Sequence, residues 1–420
     1  MNETLEGTVR DLSRFGEGVV KTEQGMVFAP GVLPGERVTL DRVKKQGGAL
    51  RADRARVLDP STQRVEPACP IVGRCGGCPL MIATAPLQAK FKRGLLEQAI
   101  AGLPGADGVM LGWIGAKERL GYRRRARMGW QVGGRGLRLG YHPPRSDQLA
   151  DVRSCAVLHP VLDQGFRHVR RAVAGHLAGK GELNLAMGEG DRAVVAMRSD
   201  EMQPPELYRL LESLVQEGML AGAALRAGGA STDATWGEPR EKREGADGEP
   251  LWGTVAGFSQ ANDEVNRALV GRVLELARPA GRHVLELFSG HGNLTVALAR
   301  EAESLLAIEL DEAAAEACRE NLRARGLSAT VRTDDAETYR PQTAPEVAVI
   351  DPPRTGAPGA VKRLVHLGVP EIVYVSCDPP TLGRDLKQLT DAGYELTDAI
   401  ALDMFPQTAH LEVVVRVEKT

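Results

Sequence analysis

The spacing of apolar residues changes character twice along this 420-residue chain. Residues 1–57 alternate apolar and polar positions in short runs, broken at Phe15-Gly16-Glu17-Gly18, Pro30-Gly31 and Pro34-Gly35. Period-two alternation with even turns and no helical repeat predicts a small β-barrel. Residues 58–80 form a Pro-, Gly- and Cys-rich loop, and a helical stretch follows over 84–101. From 113 to 255 the pattern is mixed: a β segment around 122–142, helices near 160–178 and 204–218, and a flexible loop or boundary at 227–250. After about 256, apolar runs alternate with amphipathic stretches. Strands are predicted at His283–Phe288, Leu305–Leu310, Glu346–Ile350 and Ile372–Ser376, with helices over 294–302, 311–325 and 357–367 and a last buried strand at Leu411–Val417. Such alternation predicts a parallel, doubly wound sheet. The expected fold class is therefore α/β: a Rossmann-like domain over 256–420, an N-terminal barrel over 1–57, and a central α+β domain over 58–255. The helical segment at about 81–112 is expected to pack on the Rossmann-like domain. No internal repeat is present.

Composition narrows the class. Charged residues make up 26% and hydrophobic residues 43%, as in soluble globular proteins. No apolar run reaches the length of a membrane span, and MNETLEGTVR lacks the basic start and apolar core of a secretory leader. A cytoplasmic, reducing environment is expected, so the six cysteines read as ligands, nucleophiles or core residues rather than disulfides. The net charge of −2 gives no global sign of nucleic acid. Locally, 117–127 (KERLGYRRRAR) holds six basic residues and one acidic, and 42–56 adds Arg42, Lys44, Lys45, Arg51, Arg54 and Arg56. Either stretch could neutralise phosphates or be a solvated face.

Candidate chemistry concentrates in the last third. The first Rossmann-like strand runs into Phe288-Ser289-Gly290-His291-Gly292-Asn293, a glycine turn that lets backbone approach a ligand at the carboxyl edge of the sheet. Glu309 follows Gly290 by nineteen residues, the spacing of a carboxylate that holds ribose hydroxyls. NAD(P) and S-adenosylmethionine share this arrangement. Thr295 stands where a pyrophosphate-binding turn has its third glycine, which favours the methyl donor. Asp351-Pro352-Pro353-Arg354 closes a strand at the same edge; Arg354 occupies the place of the aromatic residue carried by methyltransferases acting on exocyclic amines. Cys377 ends an apolar strand just before Asp378-Pro379-Pro380, where a nucleophile or an ordinary core cysteine could sit. Cys318, inside EAAAEACRENLRARG, reads as core. Cys69, Cys75, Cys78 and the distant Cys155 suit zinc or an iron–sulfur cluster, and their spacing leaves both open. Cys75-Gly-Gly-Cys78 as a redox pair lacks the surrounding βαβ pattern.

LPGERV, the four-cysteine pattern, YRRRAR, FSQAN, LELFSGHGN, IEL, DPPRTG, SCDP-x-TLGRDL and DMFPQTAHLEVV follow one another in an order that resembles the S-adenosylmethionine-dependent RNA uracil-C5 methyltransferases, specifically their iron–sulfur branch with an N-terminal TRAM domain. The resemblance implies that Cys377 is the nucleophile and Glu412 the general base. It also implies that Gln260, Phe288, Asn293, Glu309, Asp335 and Asp351 line the cofactor pocket, with Asp334 an alternative to Asp335. Cys69, Cys75, Cys78 and Cys155 would hold a [4Fe–4S] cluster. The implied substrate is a uridine of structured RNA, with large-subunit (23S) ribosomal RNA ahead of transfer RNA, acted on by a monomer that needs no membrane or protein partner. Two positions depart from the family pattern: Asp378 replaces Asn after the cysteine, and Gln407 replaces His after DMFP. A carboxylate at 378 opposes thiol ionisation unless it is itself hydrogen-bonded. The chemistry explains the residue set. C5 of uracil becomes nucleophilic only after a thiolate adds at C6, and a base must then remove the C5 proton so that the thiol can leave. The uracil must be presented out of its stack. An RNA-binding assembly factor with an inactive catalytic domain is disfavoured by the intact Cys377, Asp351 and Glu412. An NAD(P) oxidoreductase leaves SCDP unexplained.

Overall fold

The computed structural model describes residues 5–134, 136–143, 146 and 148–420. Residues 1–4, the start of the segment read above as lacking a leader, lie outside the described residues. No described helix is long and apolar enough to cross a membrane.

Strands β1 (Leu5–Leu12), β2 (Gly18–Thr22), β3 (Gly25–Ala29), β4 (Arg37–Gln46) and β5 (Ala49–Asp59) close into a barrel in the order β1-β2-β3-β5-β4. The inward members of the alternating pattern, among them Val9, Val20, Val27, Val38 and Leu40, fill it. The loop beyond is pinned to the barrel by Arg64, whose guanidinium lies 2.6 Å from the fully buried Glu36. Helix α1 (Ala85–Ile100) then packs on the C-terminal Rossmann-like domain, and β6 (Gly112–Ile114) joins that domain's sheet beside its penultimate strand.

The central region is a second sheet. Strands β7 (Arg125–Gly133), β8 (Gly136–Tyr141) and β9 (Ala150–Asp151) precede helix α2 (Pro160–Val173), and β10 (Lys180–Met187) and β11 (Ala193–Arg198) precede α3 (Pro205–Gln216). Strands β12 (Leu220–Arg226) and β13 (Ala234–Gly237) complete a sheet of order β13-β12-β11-β10-β7-β8-β9. Leu162, Phe166, Val169, Leu207 and Leu211 are the apolar stripe that the two helices bury against it. The span 227–250, expected as a loop, contains β13 and β14 (Arg240–Glu244); the latter forms a hairpin with β15 (Pro250–Thr254). REKRE is charged on every residue, so no apolar alternation announced the strand.

Helix α4 (Asp263–Ala277) opens the C-terminal domain, capped by the Asn262 side chain. There follow β16 (His283–Leu287), α5 (Thr295–Leu298), β17 (Ser304–Glu309), α6 (Glu312–Ala324), β18 (Thr330–Thr333), β19 (Val347–Ile350), α7 (Pro358–Leu367), β20 (Glu371–Ser376), α8 (Pro379–Thr390), β21 (Tyr394–Leu402) and β22 (Glu412–Lys419). The order is β18-β17-β16-β19-β20-β22-β21-β6, parallel from β18 to β20 and antiparallel at β22. Strands buried on both faces, such as VAVI at β19, read as unbroken apolar runs. The direction of winding switches between β16 and β19, where open α/β sheets bind ligands at their carboxyl ends.

Candidate active site

Three adjacent strand ends meet at that edge. Asp351 follows β19, Cys377 follows β20, and Glu412 begins β22 one residue from Val413, the partner of Ser376. Asp378 turns away from the thiol to cap α8, its Oδ1 accepting from the Thr381 amide at 3.1 Å, and Pro379 supplies the first helical residue. Glu412 is buried, and its Oε2 has no hydrogen-bond partner among the described residues. Burial raises its pKa well above the usual carboxylate range, with Asp351 adding to the rise and Arg354 opposing it. Burial likewise lifts Asp351 to about 7. The Cys377 thiol is pushed up to about 12, first by burial and then by Glu412 and Asp351, while a hydrogen bond from Arg354 pulls the other way. Two neighbouring acids and a thiol therefore share one low-dielectric corner, with a single guanidinium favouring the anions.

Two spaces open from this corner. The first is lined by Gln260, Phe288, Gly290, Asn293 and Asp351 together with Glu241, Trp252 and His291. Phe288 holds a positive φ of 64° as the chain leaves β16 for the glycine turn, a conformation that costs energy and clusters at functional sites. Asn293 is locked by reciprocal amide bonds to Asn266 of α4 at 2.8 and 2.9 Å. Gln260 is buried, with its Oε1 unpartnered among the described residues, so a polar ligand group in this cavity would satisfy it. That donor and acceptor set, with no Cβ at Gly290 to fill the space, fits S-adenosylmethionine. Glu309 and Asp335 do not line the cavity. The Glu309 carboxylate accepts from the Gly290 and Asp311 amides, both at 2.8 Å, and so shapes the turn. Asp335 is half-buried and holds the Glu337 amide at 2.9 Å, whereas Asp334 is exposed.

The second space is a cleft of about 900 Å³ running from Cys377, Arg354 and His410 past Gly73, Gly76 and Gly77 of the cysteine loop to Phe15 and Arg51 of the barrel. Sequence reading passed over His410, which touches Arg354 at 3.4 Å. It also passed over Ser259 as a link: its hydroxyl donates to Glu241 at 2.8 Å and accepts from Arg125 at 3.0 Å. Glu241 lies in the span expected as loop and Trp252 on the partner strand just beyond it, so their place at the cavity had no local signal.

The arginine cluster is turned inward. Arg124 pairs with Asp263 at 3.0 Å, and Arg125 binds Ser259 and the Gly257 carbonyl. Arg123 lies behind the cysteines. The phosphate-binding reading of Arg124 and Arg125 gives way to a structural one, because these two guanidinium groups are spent on intramolecular partners.

Cys69, Cys75, Cys78 and Cys155 line one pocket with Ile71, Val72, Tyr141 and Val157. No group of three or more His, Cys, Asp or Glu among the described residues converges closely enough for a single metal ion.

A sheet of this order with a ligand cavity at its switch point and a cysteine among the strand ends defines an α/β methyltransferase-type enzyme. Across 98% of its length the chain is 34% identical to two proteins called 23S rRNA (uracil(1939)-C(5))-methyltransferase RlmD, from Pectobacterium atrosepticum (92% of that protein covered) and Halomonas elongata (89%). The family described as tRNA (Uracil-5-)-methyltransferase matches residues 253–333 and 336–420. The crystal structure of Pyrococcus abyssi tRNA (uracil-54, C5)-methyltransferase in complex with S-adenosyl-L-homocysteine superposes with a TM-score of 0.78 at 22% identity, covering 98% of this chain and all of that one, and so shares the fold. The chain belongs to the RNA uracil-C5 methyltransferases, S-adenosylmethionine-dependent enzymes that act on RNA.

Proposed function

We propose that this enzyme methylates C5 of a uridine in 23S ribosomal RNA, with Cys377 as nucleophile and Glu412 as base. The observation that carries the reading is the meeting of Cys377, Asp351 and the buried, unpartnered Glu412 carboxylate on three neighbouring strand ends between a ligand cavity and an open cleft. The ribosomal relatives, at 34% identity over the whole chain, favour that RNA over transfer RNA.

Cys377 ionises, its proton passing to water as Arg354 favours the anion, and the thiolate adds to C6 of the uracil. C5 then takes the methyl group; bound S-adenosylmethionine supplies that group as an electrophilic carbon. Glu412 in its ionised form accepts the C5 proton, the electrons of the C5–H bond re-form the C5–C6 double bond, and Cys377 leaves as the thiolate. Asp351, carrying a proton below about pH 7, orients the ring at N3 and O4. Gln260, Phe288, Asn293 and Asp351 hold the cofactor directly, while Glu309 braces the glycine turn of that cavity.

The N-terminal barrel, with its exposed Arg42, Lys45, Arg54 and Arg56, serves as a TRAM-type RNA-binding module. The four pocket cysteines hold a [4Fe–4S] cluster. Four thiolates around one pocket are the ligand set such a cluster takes. Arg123 beside them has no carboxylate partner among the described residues, and a cluster bound by thiolates would supply the missing anion. The protein works in the cytoplasm as a monomer.

The test is mapping of 5-methyluridine after incubation of the purified protein with unmodified ribosomal and transfer RNA. Product in 23S RNA, absent with Cys377→Ala, is expected. Product confined to transfer RNA would overturn the target, and product formed by Cys377→Ala would overturn the chemistry.

A further inference from the structure

Tyr122 and Arg123 stand between two parts of the molecule that the reaction does not obviously connect. On one side is the cysteine pocket. Tyr122 is buried with Met81 and Val157, packed against Cys69, Cys78 and Cys155. The Arg123 amide donates to the Val157 carbonyl at 2.8 Å, and the His159 amide returns a bond to the Arg123 carbonyl at 2.9 Å. The Arg123 charge acts on Cys75, Cys78 and Cys155.

On the other side is the segment Asp403–Leu411, which leads directly into Glu412. The Tyr122 hydroxyl donates to the Pro406 carbonyl at 3.0 Å. The Arg123 guanidinium sits 5.7 Å from the centre of the Phe405 ring, and its Nε reaches the Tyr122 oxygen at 3.4 Å. Phe405 in turn meets His410 edge-on at 6.0 Å, two residues before the base. A second strut comes from the cysteine loop: the Leu80 amide, two residues past Cys78, donates to the Gln407 carbonyl at 3.0 Å. Gln407 holds a φ of 71°, a strained geometry that persists only under such constraint.

We infer that Tyr122 and Arg123 are positioning residues that transmit the order of the cysteine pocket to the catalytic-base segment, so that disturbing the four cysteines displaces Glu412 without touching substrate or cofactor. The inference rests on the assignment of Glu412 as the base. Its physical content is a coupling between two sites through shared packed side chains, and such coupling is reciprocal.

Loss of base placement has a signature that general loosening lacks. Addition of Cys377 and methyl transfer do not need the base, whereas elimination does. The experiment compares Tyr122→Phe, Arg123→Met, Cys155→Ser and Glu412→Gln for steady-state kinetics and for protein–RNA adducts that survive denaturing electrophoresis. Tyr122→Phe keeps the ring and loses one hydroxyl. It should lower kcat about 10-fold, the lower end of what outer-shell supports contribute, with KM for RNA unchanged and a methylated adduct accumulating. Cys155→Ser, where it folds, should trap the same species. In the reverse direction, Phe405→Leu should speed alkylation of Cys78 in the folded protein, read by mass spectrometry. An adduct from Glu412→Gln but none from Tyr122→Phe or Arg123→Met would overturn the coupling. No adduct from Glu412→Gln would instead overturn the assignment of the base on which it stands.

Discussion

A thiol held at about 12 is no nucleophile at neutral pH until its surroundings change, and the residues around Cys377 state what must change. Burial comes first, then Glu412 and Asp351 in their ionised forms, and Arg354 opposes them. In the ligand-free protein, alkylation of Cys377 by iodoacetamide should be slow at neutral pH, faster in Asp351→Asn and Glu412→Gln, and slower still in Arg354→Met. Peptide mass spectrometry reads the rates, and equal rates in all four proteins would remove this electrostatic account. Asp351 also leaves a mark on stability. Its pKa rises from 3.8 to about 7 because burial disfavours the charge, so the folded chain keeps a proton that the unfolded chain gives up. The stability it contributes is complete below 3.8 and is lost as pH rises through about 7. Thermal melts should therefore show Asp351→Asn gaining on the wild type across that window and not above it; a constant gap would contradict the raised pKa. At this scale the sequence pointed to Cys377, Asp351 and Glu412 through the residue types the chemistry demands, and the structure sets the three on neighbouring strand ends. His410 and Arg123 carried no such demand and were found only by position.

Among the elements, the turn from β16 to α5 shows how a motif depends on what lies behind it. Gly292 has a φ of 91°, and a Cβ built there would meet the Cys318 sulfur of α6 at 2.8 Å. Gly290, with a φ of 55°, faces open space. Both glycines are needed for backbone reasons, but only Gly292 is also held by packing. Gly292→Ala should cost about 1–3 kcal/mol from overpacking beyond the backbone strain that Gly290→Ala also suffers. Replacing Cys318 with Ala in the Gly292→Ala background should return part of that loss. Denaturant melts measure the stability of each protein, and a Gly292→Ala protein as stable as Gly290→Ala would refute the steric account. Cys318 was correctly legible as core from its helix. That it is the stop against which the cofactor turn rests follows from the packing of α6 behind that turn, which no local pattern encodes.

Across the whole molecule, the barrel, the cysteine loop and the catalytic sheet surround one cleft, and the distribution of cations around it differs from their distribution in sequence. Arg124 and Arg125 are spent internally, while Arg42, Lys45, Arg54 and Arg56 stand exposed on the long β4–β5 ribbon. Binding of RNA should weaken steeply with salt. Arg42→Ala with Lys45→Ala should reduce the slope of log affinity against log salt by about 0.7–0.9 for each phosphate no longer neutralised. Arg124→Ala should leave the slope alone and lower the melting temperature, because Asp263 loses a partner at 3.0 Å. Filter binding across a salt series separates the two, and a flattened slope in Arg124→Ala alone would restore the phosphate-binding reading of the cluster. The same scale explains Lys92 of α1, fully buried 2.5 Å from Asp403 and 2.8 Å from the Phe405 carbonyl. A buried cation so paired costs little only while its partner stays, which ties α1 to the base segment.

The sequence by itself determined what local physics can write: a period-two barrel, alternating strands and helices of a parallel sheet, glycines at the ligand turn, a cysteine at a strand tip, and the residue types that uracil chemistry requires. These survive translation into structure because each depends on near neighbours in the chain. The tertiary structure decided the rest. It turned a basic run inward, since a guanidinium goes where its partners are and not where its sequence neighbours are charged. It made a strand of REKRE because backbone pairing needs no apolar side chain once a partner strand is in reach. It brought Asp351, Cys377 and Glu412 together from separate stretches of the chain, because strand order, which only long-range packing of apolar faces can choose, sets which ends become neighbours.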